Sequence, residues 1–243
     1  MKQLITIILF FTGFGFSHAQ FFKNQVPEGE KQYDPKKVID PEYGITMYNK
    51  MIQPLGGDSM RYTKQGYNQQ GWREDYYISG KVLHKGYYVD GLIKVFKNYY
   101  ENGQVERNFS SMDPKRSKLE IYYEDGKVKS EVNYFEGNAQ KQYDFYPNGN
   151  PEYVEENDKD ISFLYKRNSY FENGQPSSLF ELTDRKEKKY SKKEYYENGK
   201  LKEEGTMQLR REYGDYVKEG EWTTYDDKGE VVKKTNFKNG EAQ

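Results

Sequence analysis

From Gly71 onward, short runs of alternating apolar and polar residues are broken by glycine, and the breaks recur. Tyr195-Tyr196-Glu197-Asn198-Gly199-Lys200-Leu201 is the clearest copy. Asn-Gly flanked by such residues is a strong β-hairpin signal. Both central positions of a type I′ turn need φ > 0, and Asn and Gly tolerate that best. The frame returns at Tyr99–Val105, Tyr122–Val128, Phe145–Pro151 and Tyr170–Pro176. A first copy spans Tyr76–Val82, and a looser last one Thr224–Val231. The turn glycines Gly80, Gly103, Gly126, Gly149, Gly174, Gly199 and Gly229 are thus spaced by 23, 23, 23, 25, 25 and 30 residues. A period of this size predicts a repeat architecture.

A two-residue loop at each tip sets the second aromatic against an apolar residue. The pairs are Tyr77 with Val82, Tyr100 with Val105, Tyr123 with Val128, Tyr146 with Pro151, Phe171 with Pro176 and Tyr196 with Leu201. That face is predicted to be core, each aromatic–aliphatic pair contributing about 0.2–1 kcal/mol. Side chains alternate across a strand, so the first aromatic points the other way. Its partner is mostly polar: Glu106, Lys129, Glu152, Ser177 or Lys202, with Leu83 the exception. This predicts an outward stripe of Tyr76, Tyr99, Tyr122, Phe145, Tyr170 and Tyr195. Counting back in twos adds Trp72 and Trp222. A row of exposed aromatics marks a binding surface; the alternative is a structural ladder whose rings cover one another.

Each unit carries a second turn. Gly91, Gly137 and Gly240 lie 11 residues after Gly80, Gly126 and Gly229, and Asp113-Pro114 takes the same offset after Gly103. Charged inserts at Asn157–Asp160 and Thr183–Lys189 lengthen two units, and a longer insert including Leu209–Asp215 precedes the last. There Asp227-Lys228-Gly229 reads as a three-residue loop with Gly229 left-handed. The predicted fold is all-β, an elongated twisted meander of hairpins.

Gly220-Glu221-Trp222-Thr223-Thr224-Tyr225 carries the pattern Gly-x-Trp-x-x-Tyr, and Gly71-Trp72 with Tyr76 is a looser copy. On these residues the chain from about 67 to 243 resembles the MORN-repeat variant family, which includes the YwqK-type antitoxins. The resemblance implies hairpin repeats used as a partner-binding module, as an antitoxin or immunity protein, or for phospholipid binding. The middle repeats carry other residues at the Trp position.

Residues 1–19 read as a secretory signal: Lys2, an apolar run from Leu4 to Phe16, then Ser17-His18-Ala19 before cleavage at Gln20. The run is short of the ~20 residues that span a bilayer. Residues 20–66 read as a linker with Pro27 and Pro35, followed by a short helix. Asp40 is its N-cap, Pro41 its first residue, Ile45, Tyr48 and Ile52 its apolar face, and Pro54 with Gly56-Gly57 its stop. Such a helix can cover the first edge strand. Gly56-Gly57-Asp58-Ser59 lacks the following Lys and preceding strand of a phosphate loop. The repeat domain occupies 67–243.

Composition changes this picture in three ways. The 243 residues hold 38 basic and 39 acidic groups, so neither a nucleic acid nor an anionic membrane surface is an expected partner. The apolar fraction is only 34%, yet there are 25 Tyr and 14 Phe, which suits a thin sheet covered by rings rather than a disordered chain. There is no cysteine, and His84 is the one histidine after the signal. No cofactor, metal or catalytic residue is therefore expected, and His84 reads as a partly exposed strand residue. Glu101, Glu124, Glu172 and Glu197 all flank a turn, which predicts pairing across it. A polysaccharide-acting enzyme needs carboxylates gathered in a cleft. The expected role is a non-catalytic exported module for a protein or cell-surface partner.

Overall fold

The computed structural model describes residues 32–34, 60–210 and 214–243. The expected signal at 1–19 and the helix after Asp40 lie outside the described residues. Short alternating runs cannot bury a face alone, and each pairs with the next. One sheet of 16 strands follows chain order. The strands are β1 (Gln32–Tyr33), β2 (Gly71–Tyr77), β3 (Val82–Val89), β4 (Leu92–Tyr99), β5 (Val105–Ser111), β6 (Arg116–Tyr122), β7 (Val128–Phe135) and β8 (Asn138–Phe145). They continue as β9 (Pro151–Asn157), β10 (Leu164–Tyr170), β11 (Pro176–Asp184), β12 (Lys189–Tyr195), β13 (Leu201–Arg210), β14 (Asp215–Tyr225), β15 (Val231–Lys238) and β16 (Glu241–Ala242). β1 runs parallel to β2, and the later pairs are antiparallel. At about 4.8 Å per strand the sheet extends about 70 Å from first strand to last.

The tip turns differ from the expected two-residue loops, except at Asp227-Lys228-Gly229, where the expected three-residue loop with Gly229 left-handed is observed. At every tip the loop has three residues: Tyr196 N–H donates to Lys200 O and Gly199 N–H to Tyr196 O, and all seven tips repeat this pattern. Among tip residues only the glycines have positive φ, from 80° to 92°. The Asn or Asp is chosen for its side chain instead. Oδ1 of Asn102, Asp125, Asn148, Asn173 and Asn198 accepts the backbone N–H two residues on, at 2.8–3.0 Å. The two-residue turns with both residues left-handed lie at the back, at Asp90-Gly91, Glu136-Gly137 and Asn239-Gly240. Of the Leu209–Asp215 insert, Leu209, Arg210 and Asp215 are strand, with Leu209 paired to Tyr216 and Arg210 to Asp215.

Gly126 has φ +86°, and a Cβ there would meet nothing closer than Gln104 Oε1 at 3.8 Å. Gly126→Val should therefore cost about 1–2 kcal/mol from backbone strain alone. A melting temperature equal to that of the unsubstituted protein would refute the left-handed tip.

Each tip is followed by a β-bulge. Tyr99 pairs with Val105 and Asn98 with Arg107, so Glu106 is skipped. Leu83, Lys129, Glu152, Ser177, Lys202 and Val232 are skipped in the same way. All of these but Val232 are the residues expected opposite the first aromatics; instead they have no direct partner. The first aromatic takes the aliphatic one, as in Tyr122 with Val128 and Tyr195 with Leu201.

Directly opposed residues share a face. One row crosses the sheet as Gly86, Phe96, Phe109, Leu119 and Val132. With Tyr88 and Ile93 these side chains form an N-terminal cluster, Phe96 stacking on Phe109 at 5.3 Å. The row continues through Gln142, Glu155 and Arg167, a polar band closed by a 2.8 Å Arg167–Glu155 ion pair. Beyond it lies a second cluster of Leu164, Phe180 and Tyr190, packed by Met207 and Tyr216. We call this the inner face. Side chains there are buried mainly by sheet neighbours, as the low apolar fraction suggests.

Consecutive repeats are also tied at their tips. The second aromatic's hydroxyl donates to the carbonyl of the next repeat's first aromatic. Tyr77 reaches Tyr99 O, Tyr100 Tyr122 O, Tyr123 Phe145 O, Tyr146 Tyr170 O and Tyr196 Tyr225 O, at 2.6–2.9 Å. Lys81, Asn102, Lys127, Asn148 and Asn198 reach the next tip's carbonyls in parallel. At this tip the expected Glu124–Lys127 pair is replaced: Glu124 accepts from Asn102 of the preceding repeat, while Lys127 pairs with Asp125 in its own loop and donates to Pro147 O of the next. The last repeat has Asp226 in the tyrosine's place, and its carboxylate accepts from its own loop, at Lys228 N and Glu230 N.

His84 is fully buried rather than partly exposed. The bulge at Leu83 turns His84 onto the inner face, between Asp75 and Asn98, and its ring lies over Gly86.

Candidate functional site

The tip pairing decides how much of the aromatic stripe is open. Each first aromatic leans on the aliphatic residue opposite, so Tyr99, Tyr122, Phe145, Tyr170 and Tyr195 are half-buried and Tyr76 is buried. Of the second aromatics, Tyr77 and Tyr100 are buried, and Tyr123, Tyr146, Phe171 and Tyr196 are half-buried. The contrast between the two faces is therefore weaker than the sequence predicts.

Trp222 leaves the stripe altogether. Thr206 pairs with Glu219 and Glu204 with Thr223, so three residues of β14 stand against Gly205 alone. Gly220, at φ +72°, permits the kink. Trp222 turns inward over Gly205, is 3% exposed, and donates from Nε1 to Thr206 O at 3.1 Å. The Lys218 ammonium sits 3.8 Å from its ring centroid.

Trp72 is the exposed member, at 60%. Register sets it opposite Tyr87, and the two rings meet edge to face at 5.4 Å. A hollow of about 350 Å³ opens beside them, lined by Trp72, Lys85, Val95, Lys97, Tyr99 and Asn108. The structure thus gathers Trp72 and Tyr99 from the stripe and leaves the later stripe residues outside this hollow. It adds Lys85, Tyr87 and Lys97, which the sequence reading did not single out. The hairpin count extended back from the tip sets Tyr87 opposite Trp72 and Lys85 opposite Glu74, but Lys97 meets Lys85 only because a bulge skips Lys94, which no local signal shows.

Charge in the hollow is uneven. Lys85 and Lys97 oppose each other directly across β3 and β4. Lys85 is compensated by Glu74 at 2.8 Å. Their hydrogen bond holds the Glu74 carboxyl below its ordinary range and pushes the Lys85 ammonium up. Lys97 has no ion pair among the described residues. On its other side stands Asn108, whose amide donates to Glu120 at 2.7 Å. The lining holds no carboxylate, so this hollow offers a ring, a cation and an amide for binding but no acid–base pair.

A family model described as a MORN repeat variant matches residues 93–108, 118–136, 192–208 and 218–239. No curated protein matches the chain. Each matched stretch covers one tip with its two strands, and the first contains Val95, Lys97, Tyr99 and Asn108. The chain thus carries, in tandem, hairpins similar to MORN repeat variants, the build of a repeat-based interaction module.

Proposed function

We propose that this chain is a non-catalytic, exported module that holds a protein or cell-surface partner on the outer face of β2–β5. The observation that carries this reading is Trp72, 60% exposed beside the hollow that Lys97 lines. An aromatic of that size left open next to a cation with no ion pair among the described residues gains most when a partner covers it. Export is supported by Lys2, the apolar run to Phe16 and Ser17-His18-Ala19. A photo-crosslinking residue placed at Trp72 or Lys97 in the producing cells should capture the partner. The same probe at Glu152, exposed on β9, should not. Capture only from Glu152 would refute this face. Mature protein should begin at Gln20, and a retained Met1 on N-terminal sequencing would refute export.

A further inference from the structure

We infer that the hollow beside Trp72 takes an acidic sugar, a carboxylated or sulfated pyranose of a cell-surface polysaccharide; this rests on reading the outer face as the binding surface. The first reason is charge. Lys85 and Lys97 are like charges placed directly opposite each other, an arrangement that weakens a sheet unless something negative lies between them. Glu74 answers only Lys85. One anionic group on the ligand would answer Lys97.

The second reason is the sign pattern around the pair. The row through these residues reads Glu74, Lys85, Lys97, Asn108, Glu120, Glu131. Carboxylates thus bound the lysines on both sides. An anionic bilayer or a densely charged polyanion would meet Glu120 and Glu131, whereas a ligand with spaced charges would not.

The third reason is shape. The hollow, at about 350 Å³, lies at the lower end of small-molecule sites, which run from about 300 to 1,000 Å³. Trp72 is held edge-on by Tyr87, leaving ring surface open for the C–H face of a pyranose, with Tyr99 and Asn108 beside it for hydroxyls. β3 to β5 are each paired on both sides and so offer no free edge for an added peptide strand, while β1 covers β2 only at Tyr76 and Tyr77.

The test measures binding of the full mature chain to immobilised hyaluronan, chondroitin sulfate and chitin oligosaccharides and to an oligoglutamate peptide. Hyaluronan carries spaced carboxylates, chondroitin sulfate adds sulfates, and chitin is neutral. One or both acidic sugars should bind, and their ratio tells carboxylate from sulfate. Trp72→Ala and Lys97→Gln should each weaken binding tenfold or more at unchanged melting temperature. Lys141→Gln, exposed on the same face farther along, should leave binding unchanged. Equal binding of chitin, or full affinity in Lys97→Gln, overturns the acidic sugar. Oligoglutamate binding as tightly as the sugars overturns the sugar but leaves the binding face standing. No binding of either acidic sugar also overturns the inference, while crosslinking from Trp72 and Lys97 decides the face separately.

Discussion

Gly205→Ala is expected to destabilise the C-terminal repeats by about 3–5 kcal/mol, the range for losing a large buried aromatic. A Cβ on Gly205 would lie 2.3–2.5 Å from Cδ2, Cε2 and Cγ of Trp222. The ring has little room to give. Its Nε1 is held by Thr206 O, the Lys218 ammonium sits 3.8 Å from its centroid, and Phe237 meets it edge to face at 6.3 Å. An added methyl in a packed core ordinarily costs about 1–3 kcal/mol when neighbours can shift; here Trp222 must leave its seat. Trp222→Ala should cost a similar amount. The double substitution should cost little more than Trp222→Ala alone, because the clash is gone, and that non-additivity isolates the contact. Repeats contact mainly their neighbours, so protease should open β13–β15 first and spare the Phe96–Phe109 cluster. Equilibrium unfolding that puts Gly205→Ala within 1 kcal/mol of the unsubstituted protein would sink this account of Trp222.

Two local errors in the sequence reading cancel, and the cancellation explains how much of the sheet was legible. A two-residue loop at Asn198-Gly199 pairs Glu194 with Glu203, which is the observed pair. Nearer the tip the same count fails, because the loop has three residues and Tyr195 meets Leu201. The three-residue loop moves the register by one, and the bulge at Lys202 moves it back. Asp75 with His84 and Asn98 with Arg107 follow the same rule. Face assignments made by parity therefore hold for Tyr100 and Trp72, while the named partners of the first aromatics were wrong. The Asn-Gly pair misled because Asn suits two different turns: here its carboxamide caps a backbone N–H rather than its φ becoming positive.

Trp222 and the hollow were hard to read for a different reason. Trp222 lies inward because three residues face one, and only Gly205 leaves room for that. Nothing in Gly220-Glu221-Trp222 alone distinguishes this from a regular strand. The lysines that give the hollow its charge sit one and two strands from Trp72, on β3 and β4, so their meaning depends on cross-strand register rather than on any local motif. The tyrosine ladder was half legible. Recurrence of the second aromatic was plain, but its hydroxyl serves a carbonyl 22 to 29 residues away, and Phe171 shows that a ring without the donor also fills the place.

Acidification from pH 6.5 to about pH 4 should remove about 3 kcal/mol of stability through His84. Burial pushes its pKa down from 6.5 to about 4 in the fold, against the opposing pull of the Asn98 hydrogen bond and Asp75, with Arg61 adding to the depression. Its Nδ1 lies 2.8 Å from Asn98 Oδ1 and its Nε2 3.0 Å from the Tyr88 hydroxyl. An amide oxygen only accepts, so Nδ1 carries the proton and Nε2 accepts from Tyr88, whose oxygen also accepts from Arg61 at 3.3 Å. That arrangement suits the neutral ring. Below pH 6.5 the unfolded chain takes up a proton that the folded one refuses, so stability falls with pH and levels off below about 4. At about 1.4 kcal/mol per pH unit, a depression of this size gives about 3 kcal/mol. Glu74, Glu120, Glu155 and Glu156 are held below the ordinary carboxylate value of 4.5, so their contribution is lost in a lower window than that of His84. The chain's other histidine, His18, lies in the segment expected to be cleaved. Urea unfolding at pH 7, 6, 5 and 4.5 should show the slope, and His84→Gln should flatten it even though that variant starts less stable. A flat profile in the unsubstituted protein, or an unchanged slope in His84→Gln, would mean that the buried ring does not set the acid limit of the N-terminal cluster.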